Sequence, residues 1–248
     1  MNFIKISVVI PIYKPHFHLF INIINQIISQ TEKPYELIIA CSECNTNDKN
    51  IYFEIHRNTI ENLNIKYIIS DVPHKCFVGP NRNRGSNIAT GDYVTYVDAD
   101  DIISPYKIEI TRKILEKFKP NVFLHSFVWN KPKDYIFTNY DINNIIIINN
   151  EKIYNDTLAK FKHKFQPRNK YKEIIRKIPT QIFIDSTGSN IYYHIVQGFA
   201  CIKRELFSKH QYINMPPGGE DGIFLRDILC SDGNIIYSPL ELLNYRPL

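Results

Sequence analysis

The sequence lacks several features that would indicate a membrane, secreted or nucleic-acid-binding protein. No window holds the roughly 18 to 20 apolar residues that a bilayer span needs, and residues 1–12 form a short strand-like run rather than a signal peptide. A formal net charge of +5 is too small to require nucleic acid as a partner. We therefore expect a soluble, cytoplasmic protein without a nucleic-acid partner, with peripheral membrane attachment left open.

Cysteine is also scarce. The five cysteines are an odd number, and the one CxxC, Cys41 and Cys44, has no second cysteine pair to accompany it. This spacing supports neither a zinc ribbon nor a thioredoxin-like site, and a chain of 248 residues is large enough to fold without disulfides. We expect reduced thiols that serve packing.

Positive charge is concentrated in one stretch, Lys160 to Lys177. Such a segment suits phosphates, an anionic glycan or an acidic lipid surface, but a solvated helix face explains it equally well. Both interpretations stay open.

Apolar strand-like runs alternate with helical patterns through the first half of the chain. This order predicts an α/β fold with a Rossmann-like, mostly parallel central sheet, helices on both faces, and ligands at the carboxyl ends of the strands. The predicted strands cover 6–12, 35–40, 65–70, 93–97, 122–128 and 235–237, and the predicted helices cover 17–30, 49–62, 80–89 and 105–118, with a further helix starting near 219. The pattern loosens over 129–187, which predicts an insertion.

Three carboxylates follow one apolar strand, in the segment Tyr93 to Asp101 (YVTYVDADD). Crowded carboxylates raise one another's pKa unless a cation neutralises them, so Asp98, Asp100 and Asp101 predict a bound positive charge. Oxygen ligands suit a hard divalent ion such as Mg²⁺ or Mn²⁺. The competing interpretation is an N-cap for the next helix, but a cap would account for only one of the three acids.

The segment Gly79 to Asp101 resembles glycosyltransferase family 2. It contains, in the order typical of that family, an Arg-Asn-x-Gly turn at 82–85, an Ala-x-Gly-Asp-Tyr segment at 89–93, and a strand that ends in Asp98-Ala99-Asp100. The first strand, which ends in Pro11 and Tyr13, is similar to the family as well. The resemblance covers about the first 105 residues and then 195–246.

The resemblance implies a donor site. Asp100 would bind the metal on the donor diphosphate, Asp98 would lie near the ribose and the metal's water shell, and Pro11 and Tyr13 would flank the base, while Arg82 would also contact the donor. The family usually has Asp-Asp-Gly-Ser after the second strand, whereas this chain has Cys-Ser-Glu-Cys at 41–44. Glu43 or Ser42 would then replace the family's base-binding Asp, or the base would differ from uracil.

A second acidic pair begins a helix in the segment Gly218 to Asp227 (GGEDGIFLRD). Carboxylates are favoured at a helix N-terminus, so a simple cap would explain Glu220 and Asp221. The pair also resembles the family's Glu-Asp motif, which implies Asp221 as the catalytic base and Glu220 as an acceptor contact. The preceding segment 197–207 implies acceptor-side positions for Gly198 and Phe199.

The carboxy-terminal residues differ from the family pattern. Family members often have a metal-binding histidine after a Tyr-Arg pair, but this sequence continues from Tyr245-Arg246 with Pro247-Leu248. His194 and His210 are the alternatives for a third protein ligand, although a lone histidine is more often structural.

Together, the motifs imply one GT-A domain over 1–248, with a nucleotide-sugar-binding half at 1–105, an insertion at 129–190 and an acceptor-side half at 195–248. The implied enzyme is an inverting glycosyltransferase that needs Mn²⁺ or Mg²⁺. It would use a nucleotide-diphosphate sugar, first of all a UDP-sugar, and a glycan, lipid-linked or protein hydroxyl acceptor; a homodimer is left open.

Two other functions remain as alternatives. One is a catalytically silent module that binds a nucleotide sugar or glycan. The other is a nucleotidyltransferase, but such enzymes usually have a glycine-rich loop after the first strand, where this chain has Tyr13-Lys14-Pro15-His16.

Overall fold

The computed structural model describes residues 3–132, 135–137, 141–160, 164–165, 192–193, 199–214 and 220–246. Strands and helices alternate in its first part, as the sequence predicts. The elements are β1 (Ile6–Tyr13), α1 (Phe17–Ile28), β2 (Glu36–Ser42), α2 (Thr46–Ile55), α3 (Arg57–Glu61), β3 (Lys66–Asp71), α4 (Val78–Ile88) and β4 (Tyr93–Tyr96).

The second part is less regular. Its elements are β5 (Ile102–Ile103), α5 (Lys107–Phe118), β6 (Val122–Trp129), β7 (Ile146–Ile148), α6 (Glu151–Lys160), β8 (Lys164–Phe165), β9 (Tyr192–Tyr193), β10 (Ala200–Lys203), α7 (Glu220–Ser231) and β11 (Ile235–Tyr245). The basic stretch 160–177 and the candidate ligand His194 lie almost wholly outside the described residues. None of the helices in the described part of the chain combines the length and apolar character that a bilayer crossing requires.

One large sheet organises the described residues, with strand order β3-β2-β1-β4-β10-β6-β11-β5 and β7 beside β11. Strands β1, β2, β3, β4, β6 and β11 run in one direction, because their neighbouring pairs are parallel and β10 is antiparallel to both β4 and β6. Strands β5 and β7 pair with β11 in antiparallel fashion. The sheet is therefore mostly parallel.

The core lies on both faces of this sheet. Alternate residues of β1 point to opposite faces: Val8 packs in a cluster with α1 and α5, while Val9 packs in a cluster with α7. Apolar residues of α1 recur at helical spacing, from Phe20 to Ile27, and all are buried against the first face. Helices on both faces leave the carboxyl ends of the parallel strands as the place for a site.

The segment 89–93 of the family pattern has a structural role. The buried carboxylate of Glu36 accepts hydrogen bonds from the backbone and hydroxyl of Thr90 and from Ser7. A Cβ on Gly91 would lie 2.6 Å from Ser7 Oγ, so only glycine fits there. These contacts fix the start of β4 against β1 and β2. They thereby also orient β4 towards the acidic loop that follows it.

The Arg-Asn-x-Gly motif lies in a helix, in agreement with the helix predicted over 80–89, and is not the turn that the resemblance implies. Residues 82–85 lie inside α4, and a Cβ on Gly85 would be 2.4 Å from Val9 Cγ1. The glycine therefore serves close packing of α4 on β1 rather than chain reversal.

Several predicted boundaries are also wrong. The final strand extends over Ile235–Tyr245 rather than ending at Tyr237, and its pairing with β6 shifts register after Ser238. Pro239 lies where the ladder is interrupted, a position at which a proline is tolerated. The predicted helix over 49–62 is two helices. Within the predicted insertion, the described residues include β7 and α6.

Candidate active site

The loop after β4 carries the first acidic group. Asp98 and Asp100 are partly exposed, and the loop turns back on itself where the Asp101 N–H donates to Asp98 O at 3.2 Å. The N-cap of α5 is Tyr106, and no side chain caps that helix. The helix-cap interpretation of these acids is therefore wrong.

Arg82 joins this loop to the second acidic group. Its Nη1 donates to Asp221 Oδ1 at 2.6 Å and lies 3.6 Å from Glu220 Oε1, while its Nη2 is 3.3 Å from both carboxylate oxygens of Asp98. The two acidic motifs, more than 100 residues apart in sequence, thus meet around one side chain from α4.

The surroundings of Arg82 strengthen this ion pair. The arginine is 2% exposed, and its guanidinium lies 5.7 Å from the ring centre of Tyr96 and 5.8 Å from that of Tyr212. Burial lowers the pKa of Arg82, but the carboxylates of Asp221 and Asp98 more than offset this and hold the pKa above its usual value. Arg82 therefore stays charged, and its contacts with the acids are charge-assisted.

Asp101 differs from its two neighbours. It is buried, and its Oδ1 accepts from the Arg246 N–H at 3.3 Å, which holds the end of β11 against the acidic loop. Burial, with the charges of Asp98 and Asp100, raises its pKa well above the usual value. Asp101 is thus bonded to the end of β11 and does not share the partly exposed position of Asp98 and Asp100.

A buried lysine, Lys107, lies near the same loop. The Lys107 ammonium is 2.5 Å from His125 Nε2, and His125 Nδ1 is 2.6 Å from the Ser126 carbonyl oxygen. The second contact makes Nδ1 the protonated nitrogen and Nε2 an acceptor for Lys107. Burial lowers the pKa of Lys107 to about 7, although the nearby Cys201 and Asp101 oppose this shift. No local pattern in the sequence indicates this contact.

The predicted donor residues lie at the carboxyl ends of β1 and β2. Pro11 is buried, while Tyr13 is partly exposed with its hydroxyl 2.9 Å from His16 Nε2. Glu43 has a φ of 52° and its carboxylate is 3.8 Å from the Lys75 ammonium. These side chains share the sheet edge with Asp98 and Asp100.

Ser42, the alternative to Glu43, is fully buried. Its Oγ accepts from Asn81 Nδ2 at 3.0 Å. Of the two, Glu43 is the side chain with access to a ligand.

The predicted acceptor residues fall into three situations. Glu220 and Asp221 occupy the first turn of α7, with Asp221 only 4% exposed. Gly198 lies outside the described residues. Phe199 is in the core, where it stacks on Phe127 with ring centres 5.2 Å apart, so the structure gives it no surface for a direct acceptor contact.

His210 contacts carboxylates other than those of the two acidic motifs. Its Nδ1 is 2.5 Å from Asp227 Oδ2 and its Nε2 is 2.6 Å from Asp232 Oδ2. Both ring nitrogens are used, so His210 does not fit the role of a third metal ligand.

Asp98 and Asp100 fit a divalent cation that arrives with a diphosphate. Mg²⁺ is usually held by one or two carboxylates together with substrate phosphates and water. Within the described ranges, no group of three or more His, Cys, Asp or Glu side chains is arranged to hold an ion by itself. The residues therefore suit a cation shared with a ligand rather than a cage made of protein alone.

The fold and the paired acidic motifs define an α/β protein with a carboxylate-rich site at the carboxyl ends of its parallel strands. The profile of the family described as "Glycosyl transferase family 2" matches residues 7–210, and the chain belongs to this family. Membership confirms the predicted family and supports a transferase that acts on sugars.

Sequence relatives agree with this assignment. An uncharacterized glycosyltransferase of Rickettsia conorii is 34% identical over 119 residues, which cover 47% of this chain and 18% of that protein. One of Rickettsia felis is 32% identical over 115 residues, which cover 46% and 17%. The chain thus spans under a fifth of the length of these relatives.

Solved structures support the fold. Residues 1–349 of S. aureus TarS in complex with UDP superpose with a TM-score of 0.61 at 16% identity, covering 97% of this chain and 60% of that one. The same fragment with UDP-GlcNAc gives a TM-score of 0.60 at 16% identity, with coverage of 98% and 59%. The likeness confirms the predicted fold class, a mostly parallel α/β sheet of the GT-A type.

Proposed function

We propose that this chain transfers a sugar from a nucleotide-diphosphate sugar to a hydroxyl group of an acceptor. The observation that carries the proposal is the meeting of Asp98 and Asp221 around Arg82, with contacts of 3.3 and 2.6 Å. A glycosyl transfer needs a site that holds the donor's leaving diphosphate and a base within reach of the acceptor hydroxyl that attacks the anomeric carbon, and these two motifs would provide one each.

The donor is proposed to bind at the ends of β1, β2 and β4. Tyr13 offers a ring face and Glu43 a carboxylate for the base, while Asp98 lies at the ribose and Asp100 at the diphosphate. TarS fragments were crystallised with UDP and UDP-GlcNAc, which favours a UDP-sugar as the first donor to test. Pro11, buried in β1, fixes the strand end that presents Tyr13.

Asp100, assisted by Asp98, would hold a Mn²⁺ or Mg²⁺ ion on the diphosphate. Such an ion neutralises charge on the leaving group and thereby lowers the barrier to its departure. Arg82 contributes charge of the same sign from α4, close enough to orient Asp98.

Asp221 is the proposed general base. Arg82 binds its Oδ1, and Oδ2 would accept the proton of the acceptor hydroxyl as the hydroxyl oxygen attacks the anomeric carbon. The new bond forms on the face opposite the departing diphosphate, so a single displacement inverts the anomeric configuration. Glu220, 3.6 Å from the same arginine, would orient the acceptor or the base.

We propose that different parts of the chain bind the donor and the acceptor. Residues 1–105 would form the nucleotide-sugar half and 195–248 the acceptor half of one GT-A domain, with 129–190 contributing to acceptor choice. Gly198 stays a predicted acceptor-side residue, whereas Phe199 would support that side from the core.

The test is an assay of UDP release from a panel of UDP-sugars with Mn²⁺, with water or an acceptor receiving the sugar. Asp221→Asn keeps an oxygen for Arg82 but removes the base, so turnover should fall by about 10² to 10⁴-fold. The affinity for UDP, measured by calorimetry, should not change. Wild-type turnover in this variant would contradict the proposed role.

Asp227→Asn is the matched control. It removes a carboxylate from the same helix, but Asp227 contacts His210 instead of Arg82, so turnover should persist. A silent nucleotide-sugar-binding module would give a different result: UDP would bind the wild type, yet no donor would be hydrolysed or transferred.

A further inference from the structure

Trp129 is the one tryptophan of the sequence and is 56% exposed at the end of β6. A tryptophan ring combines a large apolar face with a polar edge, so an exposed tryptophan beside a site is a candidate ligand contact. The functional motifs discussed above do not include it.

The backbone around Trp129 is held in place on both sides. Trp129 pairs with Tyr245 in the β6–β11 register, and the next residue, Asn130, donates its N–H to the Tyr245 carbonyl at 2.9 Å. The Asn244 side chain then accepts from Lys131 N and donates to Lys131 O, both at 3.0 Å. The backbone at Trp129 is therefore held between β6 and β11.

Trp129 and Tyr245 form one aromatic surface, which we name the aromatic platform. Their ring centres are 4.9 Å apart, and Phe127 supports Tyr245 from 6.0 Å. Phe127 in turn stacks on Phe199, the predicted acceptor-side residue. A chain of rings thus runs from the core to the surface and ends at Trp129.

The platform adjoins the acidic site. The residue after Tyr245, Arg246, donates its N–H to Asp101, which directly follows Asp100. Burial raises the pKa of Tyr245, and the charges of Asp98, Asp101, Asp100 and Asp221 raise it further. Tyr245 therefore lies between the acids and Trp129.

We propose that the aromatic platform binds a pyranose ring of the acceptor, an inference that rests on the proposed function. The face of a pyranose carries C–H groups that pack on an aromatic ring, while its edge carries hydroxyls that remain solvated or hydrogen-bonded. A glycan acceptor is thereby selected over a lipid or protein acceptor without sugar.

The sheet order assigns the platform to the acceptor rather than to the donor. Strands β1 and β2, with the proposed base contacts, lie on one side of β4, whereas β6 and β11 lie on the other side beyond β10. A pyranose on the platform would approach the acids from the side opposite the nucleotide.

Tryptophan fluorescence tests the proposal directly, because Trp129 is the only emitter of its kind. The wild type, loaded with UDP and Mn²⁺, is titrated with methyl α- and β-glucosides, cellotriose and tri-N-acetylchitotriose. At least one pyranoside should shift the emission to the blue and protect Trp129 from acrylamide quenching. Mannitol, which has hydroxyls but no ring, should do neither.

Variants add a second readout by calorimetry. Trp129→Ala should weaken binding of the active pyranoside by about two- to tenfold, as expected for loss of one aromatic contact, while Trp129→Phe retains part of it. The affinity for UDP and the rate of donor hydrolysis should be unchanged in both. Absence of any spectral shift or protection across the panel would overturn the proposal.

The two proposals fail in different ways. If donor hydrolysis depends on Asp221 but no pyranoside protects Trp129, the platform is wrong and the proposed function stands. If pyranosides protect Trp129 while Asp221→Asn has wild-type turnover, the base assignment is wrong and the platform stands.

Discussion

The two ends of the sheet are assembled in different ways. Strands β1, β2 and β3 follow one another through α1, α2 and α3, so each parallel pair joins neighbours in sequence. In contrast, β6 and β11 pair across more than 100 residues, and β10 enters between β4 and β6 in the opposite direction. The first region, with β1 to β4, is therefore dictated by local sequence pattern. The second region, with β5 to β11, depends on contacts between residues far apart in sequence.

This difference matters for the site because each region supplies one acidic motif. Asp98 comes from β4 in the first region, and Asp221 comes from α7 in the second. Arg82 is the side chain that couples them. Substitutions can thus disturb three things separately: the contacts of Arg82 with the two acidic motifs, the packing of the first region, and the packing of the second region.

Breaking the coupling should have the largest effect. Arg82→Met removes the cation that contacts Asp221, Glu220 and Asp98, so two buried carboxylates lose its charge. Loss of one partner of a buried ion pair typically costs about 3–5 kcal/mol, so the free energy of unfolding in urea should fall by that amount.

The double variant Arg82→Met with Asp221→Asn distinguishes two causes of lost stability, the loss of the ion pair and the loss of the packing contacts of Arg82. Removing the carboxylate that has lost the charge of Arg82 should restore part of the lost stability, giving a clear coupling energy. Arg84→Met is the matched control, since Arg84 on the same helix donates to the carbonyls of Cys41 and Ser70, and Asp221→Asn should not rescue it. Equal behaviour of the two arginines would contradict the account.

Disturbing the first region alone should have an intermediate effect. In Gly85→Ala the new methyl group would lie 2.4 Å from Val9 Cγ1, so α4 must move away from β1. Overpacking costs about 1–3 kcal/mol, which exceeds the gain of about 1 kcal/mol from the better helix propensity of alanine. Denaturation should show net destabilisation.

Val9→Ala provides the check on Gly85→Ala. The double variant should be more stable than the sum of the single effects, because the smaller side chain makes room for the methyl group. Strict additivity would show that the contact between α4 and β1 is not the cause.

Disturbing the second region at His210 should have the smallest effect, and it should depend on pH. Burial lowers the pKa of His210, but its hydrogen bonds to Asp227 and Asp232 outweigh this and raise the pKa above its usual 6.5. The ion pairs therefore stabilise the fold fully below pH 6.5, and this contribution is lost as pH rises through the raised pKa.

The comparison is between wild type and His210→Gln in thermal unfolding at several pH values. The wild type should be more stable by up to about 1 kcal/mol at pH 5.5, since Asp227 is largely exposed, and the difference should shrink towards pH 9. A difference that grows with pH would contradict the assignment.

The sequence predicted the first region well because its signals are local. Buried runs and helical spacing were enough to locate β1, α1, β2 and β4, and the clustered acids indicated the site. The role of Gly85 was missed because a motif does not reveal whether its glycine turns a chain or packs a helix against a strand. Asp101 was grouped with its neighbours because burial cannot be judged from a run of acids.

The second region was predicted less well because its structure depends on distant partners. β11 continues past Pro239 since it pairs with β6 and β5, and neither partner is visible in the local pattern. The same holds for the contact between Arg82 and Asp221 and for the platform of Trp129 and Tyr245, which join residues more than 100 positions apart.

The central claim is that Asp100 and Asp98 bind a nucleotide diphosphate together with a divalent cation. Calorimetric titration of UDP, with Mn²⁺ or with EDTA, into the wild type and Asp100→Asn tests it most directly. We expect UDP to bind the wild type in a Mn²⁺-dependent manner and this dependence to be lost in Asp100→Asn. Equal UDP affinity in all four experiments would contradict the claim.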